Sequence, residues 1–242
     1  LPGPVRVYAG GMKAEHGHSQ AEIDARFAAG PNRTYLRDAI YGGIDGAVTT
    51  FAIVAGVAGA GLSAFVIVAL GLANVFADGF SMAAGNYAGT KAEADDAKRL
   101  RAVEERHVAQ DPAGEKRELR TILAGKGLSG AVLDAATEAI AKDEKAWIEL
   151  MLVEEYGLSP APPDPMRAAL TTFVAFLLAG MVPLMPFLLG LPQPFTWSIW
   201  ATLATFVVIG AAKARWSLTP WWRSALETLA IGGAAAGIAY AV

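Results

Sequence analysis

At 242 residues, 54% of them hydrophobic and with a mean hydropathy of +0.36, the chain is too apolar for an ordinary soluble domain of its length. A net charge of −3 argues against a nucleic-acid partner, and the absence of cysteine removes disulfides, thiolate metal sites and thiol catalysis together. Composition therefore predicts an all-α membrane protein whose metal chemistry, if any, uses oxygen, imidazole or thioether.

Residues 1–11 precede Met12 and lack both a long apolar core and a small-residue cleavage site, so no signal peptide is expected there. The polar stretch that follows ends in Gly30-Pro31-Asn32-Arg33, a break before the first apolar run. Residues 1–38 are read as a tail on the cytoplasmic side. His16 and His18 lie in it, and two imidazoles in a polar tail are read as solvated rather than as a metal pair.

The first apolar run, 39–62, holds no Lys or Arg and is long enough, at about 1.5 Å per residue, to cross a hydrocarbon core roughly 30 Å thick. It carries an acid, Asp45. A carboxylate at the centre of a spanning helix costs about 3 kcal/mol on insertion scales, so it is expected to face a partner, a cavity or an ion path. Asp38, Tyr41, Asp45 and Thr49 recur at three- and four-residue steps and share one helical face. Gly42, Gly43 and Gly46 would let another helix approach closely. The second run, 64–88, places Asn74, Asp78, Met82 and Asn86 at four-residue steps, again along one face. Met82 alone reads as packing; aligned with Asp78 and beside Asp45 it reads equally as part of a cation path.

Residues 91–164 are charge-rich and broken at Asp111-Pro112, at 125–130 and at Ala161-Pro162-Pro163, which predicts three helices over 91–109, 113–125 and 130–156. Glu104 and His107 are one turn apart, as are Glu115 and Glu118, and Met151 and Glu155; Glu154 stands beside them. Carboxylates at turn spacing on facing helices assemble oxygen-rich sites for divalent iron and manganese. The competing reading is a solvated face on which Lys116, Arg117 and Arg120 pair with these acids.

Three more apolar runs follow, at 168–189 with Pro183 and Pro186, at 195–212, and at 224–242 with Glu227. Trp197 and Trp200 fall at one expected interface and Trp216, Trp221 and Trp222 at the other. The expected architecture is five transmembrane helices with a three-helix cytoplasmic domain between spans 2 and 3: 1–38 tail, 39–90 spans 1 and 2, 91–164 helical domain, 165–242 spans 3 to 5. With the N-terminus cytoplasmic and the C-terminus external, all 20 Lys and Arg fall on the cytoplasmic side and none in the two outer links.

Outer links of a few residues leave nothing on the far side to capture a ligand, so capture is expected in the cytoplasm. Moving two positive charges outward against an inside-negative potential costs about 4.6 kcal/mol per 100 mV. The chain has no GxxxxGK[ST] phosphate loop, which leaves the membrane acids Asp45, Asp78 and Glu227 to exchange protons for the ion.

The segments YLRDAIYGGIDGAVTTFAIVAG, ADGFSMAAGNY and MLVEEYGL resemble the vacuolar iron transporter family, in a bacterial form, over residues 35–242. The resemblance implies no enzyme but a homodimer in the lipid bilayer of the bacterial inner membrane, with a pore between subunits and proton-coupled movement of Fe2+ out of the cytosol. It matches Asp45 and Met82 to the family's pore acid and pore methionine; Asp78 and Asp38 are candidates for the path from their places on the two helix faces alone. It matches Glu104, Glu115, Glu118, Met151 and Glu155 to metal ligands of the family's cytoplasmic domain.

Two departures stand out. His107 replaces an expected glutamate, and Asn86 occupies the place of a frequent glutamate. Imidazole binds Fe2+ but favours Zn2+ or Co2+ more than a carboxylate does, so these ions and Mn2+ join the candidate cargo. The rival from another class is a membrane sensor or scaffold in which the helical domain binds a cation and nothing crosses.

Overall fold

The computed structural model describes residues 17–30 and 33–241, and every regular element among them is a helix. The expectations for residues 1–11 and for His16 fall outside the described residues. The N-terminal unit, which ends at Arg33, contains helix α1, Gln20–Ala29. A reciprocal cap starts it: the Glu22 N–H donates to Ser19 Oγ, and the Ser19 N–H donates back to the Glu22 carboxylate at 3.1 Å.

The second unit begins at Thr34 and holds the other helices. Helix α2, Leu36–Gly59, packs along α7, Pro165–Leu188. Their closeness follows from glycine. Gly42 and Gly46 lie directly against the backbone of Thr172 and Phe176, where any Cβ would collide with a carbonyl oxygen. The start of α7 is fixed by Asp164, whose carboxylate accepts from the Met166 and Arg167 N–H groups at 2.9 and 3.0 Å. The Asp164 N–H in turn donates to the Tyr35 hydroxyl at 3.1 Å, which ties the first turns of α2 and α7 to one end of the bundle.

Helix α3 spans Ala64–Gln110 without a break, 47 residues and about 70 Å. The sequence reading ended a span near residue 88 and opened a separate helix at 91. The structure has one rod instead, because the change there is from apolar to charged side chains and includes no proline. The rod carries α4, Pro112–Gly125, α5, Gly130–Ala141, and α6, Glu144–Glu154, at its far end, packed around Val108, Leu119, Leu123, Leu133, Trp147, Ile148, Met151 and Leu152. The expected single helix over 130–156 is two. Lys142 closes the first, and Asp143 caps the second by accepting from the Ala146 N–H at 3.2 Å.

After α7 come α8, Pro194–Lys213, a 3-10 turn at Ala214–Trp216, and α9, Trp221–Ala241. Both internal prolines of α7 sit within the helix, and the Pro183 carbonyl accepts from the Ser198 hydroxyl of α8 at 2.8 Å. Among the described residues, four helices are long and apolar enough to cross a membrane: α2, α3, α7, and α8 with its 3-10 turn. Helix α9 is 21 residues long and carries Arg223 and Glu227 in its first two turns.

Candidate metal site and membrane path

The far end of α3 brings acids together with α4 and the end of α6. Glu104 is 1% exposed and Glu115 6% exposed, both more buried than a carboxylate tolerates without a partner. The His107 Nδ1 lies 3.4 Å from Glu115 Oε1 and 3.9 Å from Glu104 Oε1. Glu118 stands close enough to Glu115, and Glu155 close enough to Glu104, Glu115 and Glu118, for their charges to interact. Desolvation, then the charges of Glu104 and Glu118, hold Glu115 protonated above its ordinary range, with His107 opposing and Glu155 adding to the rise. The Glu155 carboxyl is also raised, by desolvation and then by Glu104 and Glu118, against the lowering effect of a hydrogen bond from Tyr156.

No lysine or arginine among the described residues neutralises this cluster. Lys116 pairs with Glu138 at 3.1 Å, Arg120 with Asp134 at 3.0 Å, and Arg117 reaches Asp111 at 4.0 Å. The cations that the solvated-face reading assigned to these acids are therefore engaged on other carboxylates. Glu104 Oε2 and Glu115 Oε2 are buried and accept no hydrogen bond. Such atoms need an occupant or a proton.

The gathering is loose: among the described residues no three His, Asp or Glu side chains close on a single point at metal-ligand spacing. Two of the sequence-derived ligands are placed elsewhere. Glu154 pairs with Lys126 at 2.6 Å, and Met151 is fully buried in the apolar core of the helical bundle. Residues 154 and 155 are about 100° apart around a helix, so one of them faces the acids and the other does not. Tyr156 is the residue that sequence reasoning missed. Its hydroxyl donates to Glu104 Oε1 at 2.8 Å, and its ring packs on the bundle core. Its only signal was its place inside MLVEEYGL, where an aromatic reads as core.

Within the apolar segments, Asp45 is half-buried on α2 and close enough to Asp78 of α3 for the two charges to interact. Asp78 itself points outward and is exposed; Met82, one turn further along, is half-buried. Asp38 is tied into a three-helix junction. Asn86 Nδ2 donates to Asp38 Oδ1 at 2.9 Å and lies 2.7 Å from Thr172 Oγ1, while Thr90 Oγ1 reaches Asn86 Oδ1 at 3.4 Å. A second link joins Asn74 to Thr49, whose hydroxyl donates to the Asp45 carbonyl at 2.9 Å. The face of α2 read from the sequence is thus occupied by polar contacts to α3, with Tyr41 exposed at its end.

The model of the VIT family matches residues 36–242. A protein named vacuolar iron transporter 1 from Eucalyptus grandis is 34% identical over 223 residues, covering 90% of this chain and 87% of its own length. One of the same name from Arabidopsis thaliana is 34% identical over 211 residues, 85% of this chain and 83% of its own. A vacuolar iron transporter from Toxoplasma gondii is 34% identical over 220 residues, 86% of this chain and 73% of its own. These relatives carry the names of transporters, not of enzymes, and the match runs through α2 to α9: the chain belongs to the VIT family.

Proposed function

We propose that the chain moves divalent metal ions, Fe2+ foremost, across a membrane and away from the side its helical domain faces. The relatives' names support metal transport. The observation that carries the reading is the cation-free acid cluster of Glu104, Glu115, Glu118 and Glu155, of which Glu104 stands on the same unbroken helix as Asp78 and Met82. Metal captured at the cluster passes to a path lined by Asp45, Asp78 and Met82, with Asp38 at its entrance. The ligand set closes on binding, with His107 as its nitrogen donor, while Glu154 stays with Lys126 and Met151 stays in the apolar core of the helical bundle.

Five spans complete the reading, α9 being the fifth, with the helical domain cytoplasmic. All Lys and Arg then lie on one side. A homodimer is supported by the outward face of α3, where Asp78 is exposed between Phe76 and Phe80, which are 56% and 69% exposed. A carboxylate on the outer face of a spanning helix needs protein or a water-filled cavity over it, and a second copy supplies both. Outward movement of the ion is tied to inward movement of protons through the membrane acids.

Liposomes containing only this protein and a lumenal metal dye test the reading. Wild type is expected to fill them with Fe2+, while Asp45→Ala, with its melting temperature kept, falls to the rate of empty liposomes. Flux indistinguishable from empty liposomes for wild type, together with metal binding, would instead favour the sensor.

A further inference from the structure

We propose that Tyr156 is a positioning residue of the acid cluster, its hydroxyl pinning one oxygen of Glu104 so that the other is presented to an incoming divalent metal ion. The assignment rests on the metal-binding reading given above. The hydroxyl donates to Glu104 Oε1 at 2.8 Å, and Glu104 Oε2 is buried with no hydrogen-bond partner. A carboxylate held by one oxygen in this way is restrained in rotation, and the direction of its free lone pairs is biased by that bond. Glu115 Oε2, also buried and unpartnered, is the second such atom in the cluster.

The chain around Tyr156 gives the hydroxyl little freedom. Its ring is packed on the bundle core. Helix α6 has just ended, and Gly157 takes the left-handed conformation at φ 66°, which turns the chain back so that the Leu158 N–H donates to the Leu152 carbonyl at 3.0 Å. Leu158 then packs on the same core. The ring and Leu158 are thus both anchored, and the hydroxyl is delivered to Glu104 from between them, with Glu155 also within hydrogen-bonding reach. A phenol carries one O–H donor, and here it is spent on Glu104. Outer partners that orient a metal-binding side chain are typically worth about 10- to 100-fold in affinity.

The test is Co2+ binding to the full-length protein in detergent, followed both by affinity and by the visible ligand-field bands, which report coordination geometry. Tyr156→Phe keeps the ring and is expected to lose about tenfold in affinity with changed bands. In a Glu104→Gln background the same substitution should change affinity less than about twofold, because the oxygen it positions is no longer a charged ligand. Should Tyr156→Phe also melt lower, Leu158→Ala is the comparison. An equal loss of affinity at equal loss of stability would reduce Tyr156 to packing and overturn the proposal. So would unchanged affinity and bands in Tyr156→Phe, or an equal loss in both backgrounds. Wild-type protein that binds no Co2+ is a different failure, which removes the metal-binding reading and the assignment with it.

Discussion

At the scale of single residues, the acid cluster is defined by what surrounds each carboxylate more than by how many there are. Glu104, Glu115, Glu118 and Glu155 have no lysine or arginine beside them among the described residues, whereas Glu154 is held by Lys126 at 2.6 Å. Turn spacing made Glu104, His107, Glu115 and Glu118 legible in the sequence, because on a helix a three-residue step keeps neighbours on one face. It could not separate Glu154 from Glu155, since the two are neighbours at the C-terminal end of α6. Nor could it find Tyr156, because whether a phenol in an apolar setting reaches a carboxylate depends on tertiary packing.

His107 brings nitrogen into an oxygen cluster, 3.4 Å from Glu115. Imidazole raises affinity for Zn2+ and Co2+ more than for Mn2+. His107→Glu is therefore expected to lower the ratio of Zn2+ to Mn2+ affinity by about tenfold, roughly 1.4 kcal/mol, in competition titrations. An unchanged ratio would put His107 outside the ligand set.

The raised carboxyls also set a pH dependence. The ordinary value for Glu115 and Glu155 is 4.5, and both are shifted above it in the folded state. The folded state thus holds more protons than the unfolded state at and above that pH. The stability linked to these groups is complete below the unfolded value and is lost as pH rises through the folded values. Metal-free protein is expected to melt lower at about pH 7.5 than at about pH 5.5 on this account, and a divalent ion should restore more of the melting temperature at the higher pH. The opposite slope, abolished by Glu115→Gln, would show that these groups are charged and paired in the fold.

At the scale of elements, the apolar runs were legible because length and lack of charge identify a spanning helix without reference to its neighbours. Glycine spacing on α2 likewise foretold a close helix, and Gly42 and Gly46 indeed face the α7 backbone. Boundaries were less legible. The step from apolar to charged side chains near residue 90 marks a change of solvent, and the helix hydrogen bonds of α3 run through it. At Asp143 the reverse holds: a single capping side chain breaks a pattern whose hydrophobic period continues. The glycine contact gives a direct test. Gly46→Ala forces a Cβ into the Phe176 carbonyl and should cost about 1–3 kcal/mol, read as a lower melting temperature. Gly56→Ala, which has open space around the new carbon, should cost nothing measurable. Equal effects at both positions would mean that α2 and α7 are not in contact at Gly46.

At the scale of the molecule, one 47-residue helix joins an acid cluster that no described lysine or arginine pairs with to an apolar segment bearing Asp78 and Met82. That continuity fixes how far the proposed capture site stands from the proposed path. Glu104 is 22 residues from Met82, about 33 Å along the rod at 1.5 Å per residue. Transport against an inside-negative potential needs an energy source, and the proposed source is the proton gradient acting on the membrane carboxylates. The most direct measurement records Fe2+ and lumenal pH together in liposomes selected for the orientation with the helical domain outside. An acidic lumen is expected to accelerate Fe2+ entry, each entry to alkalinise the lumen, and Asp45→Ala to abolish both signals together. Fe2+ entry that follows the membrane potential and ignores the pH gradient would contradict this, leaving a channel in place of an exchanger.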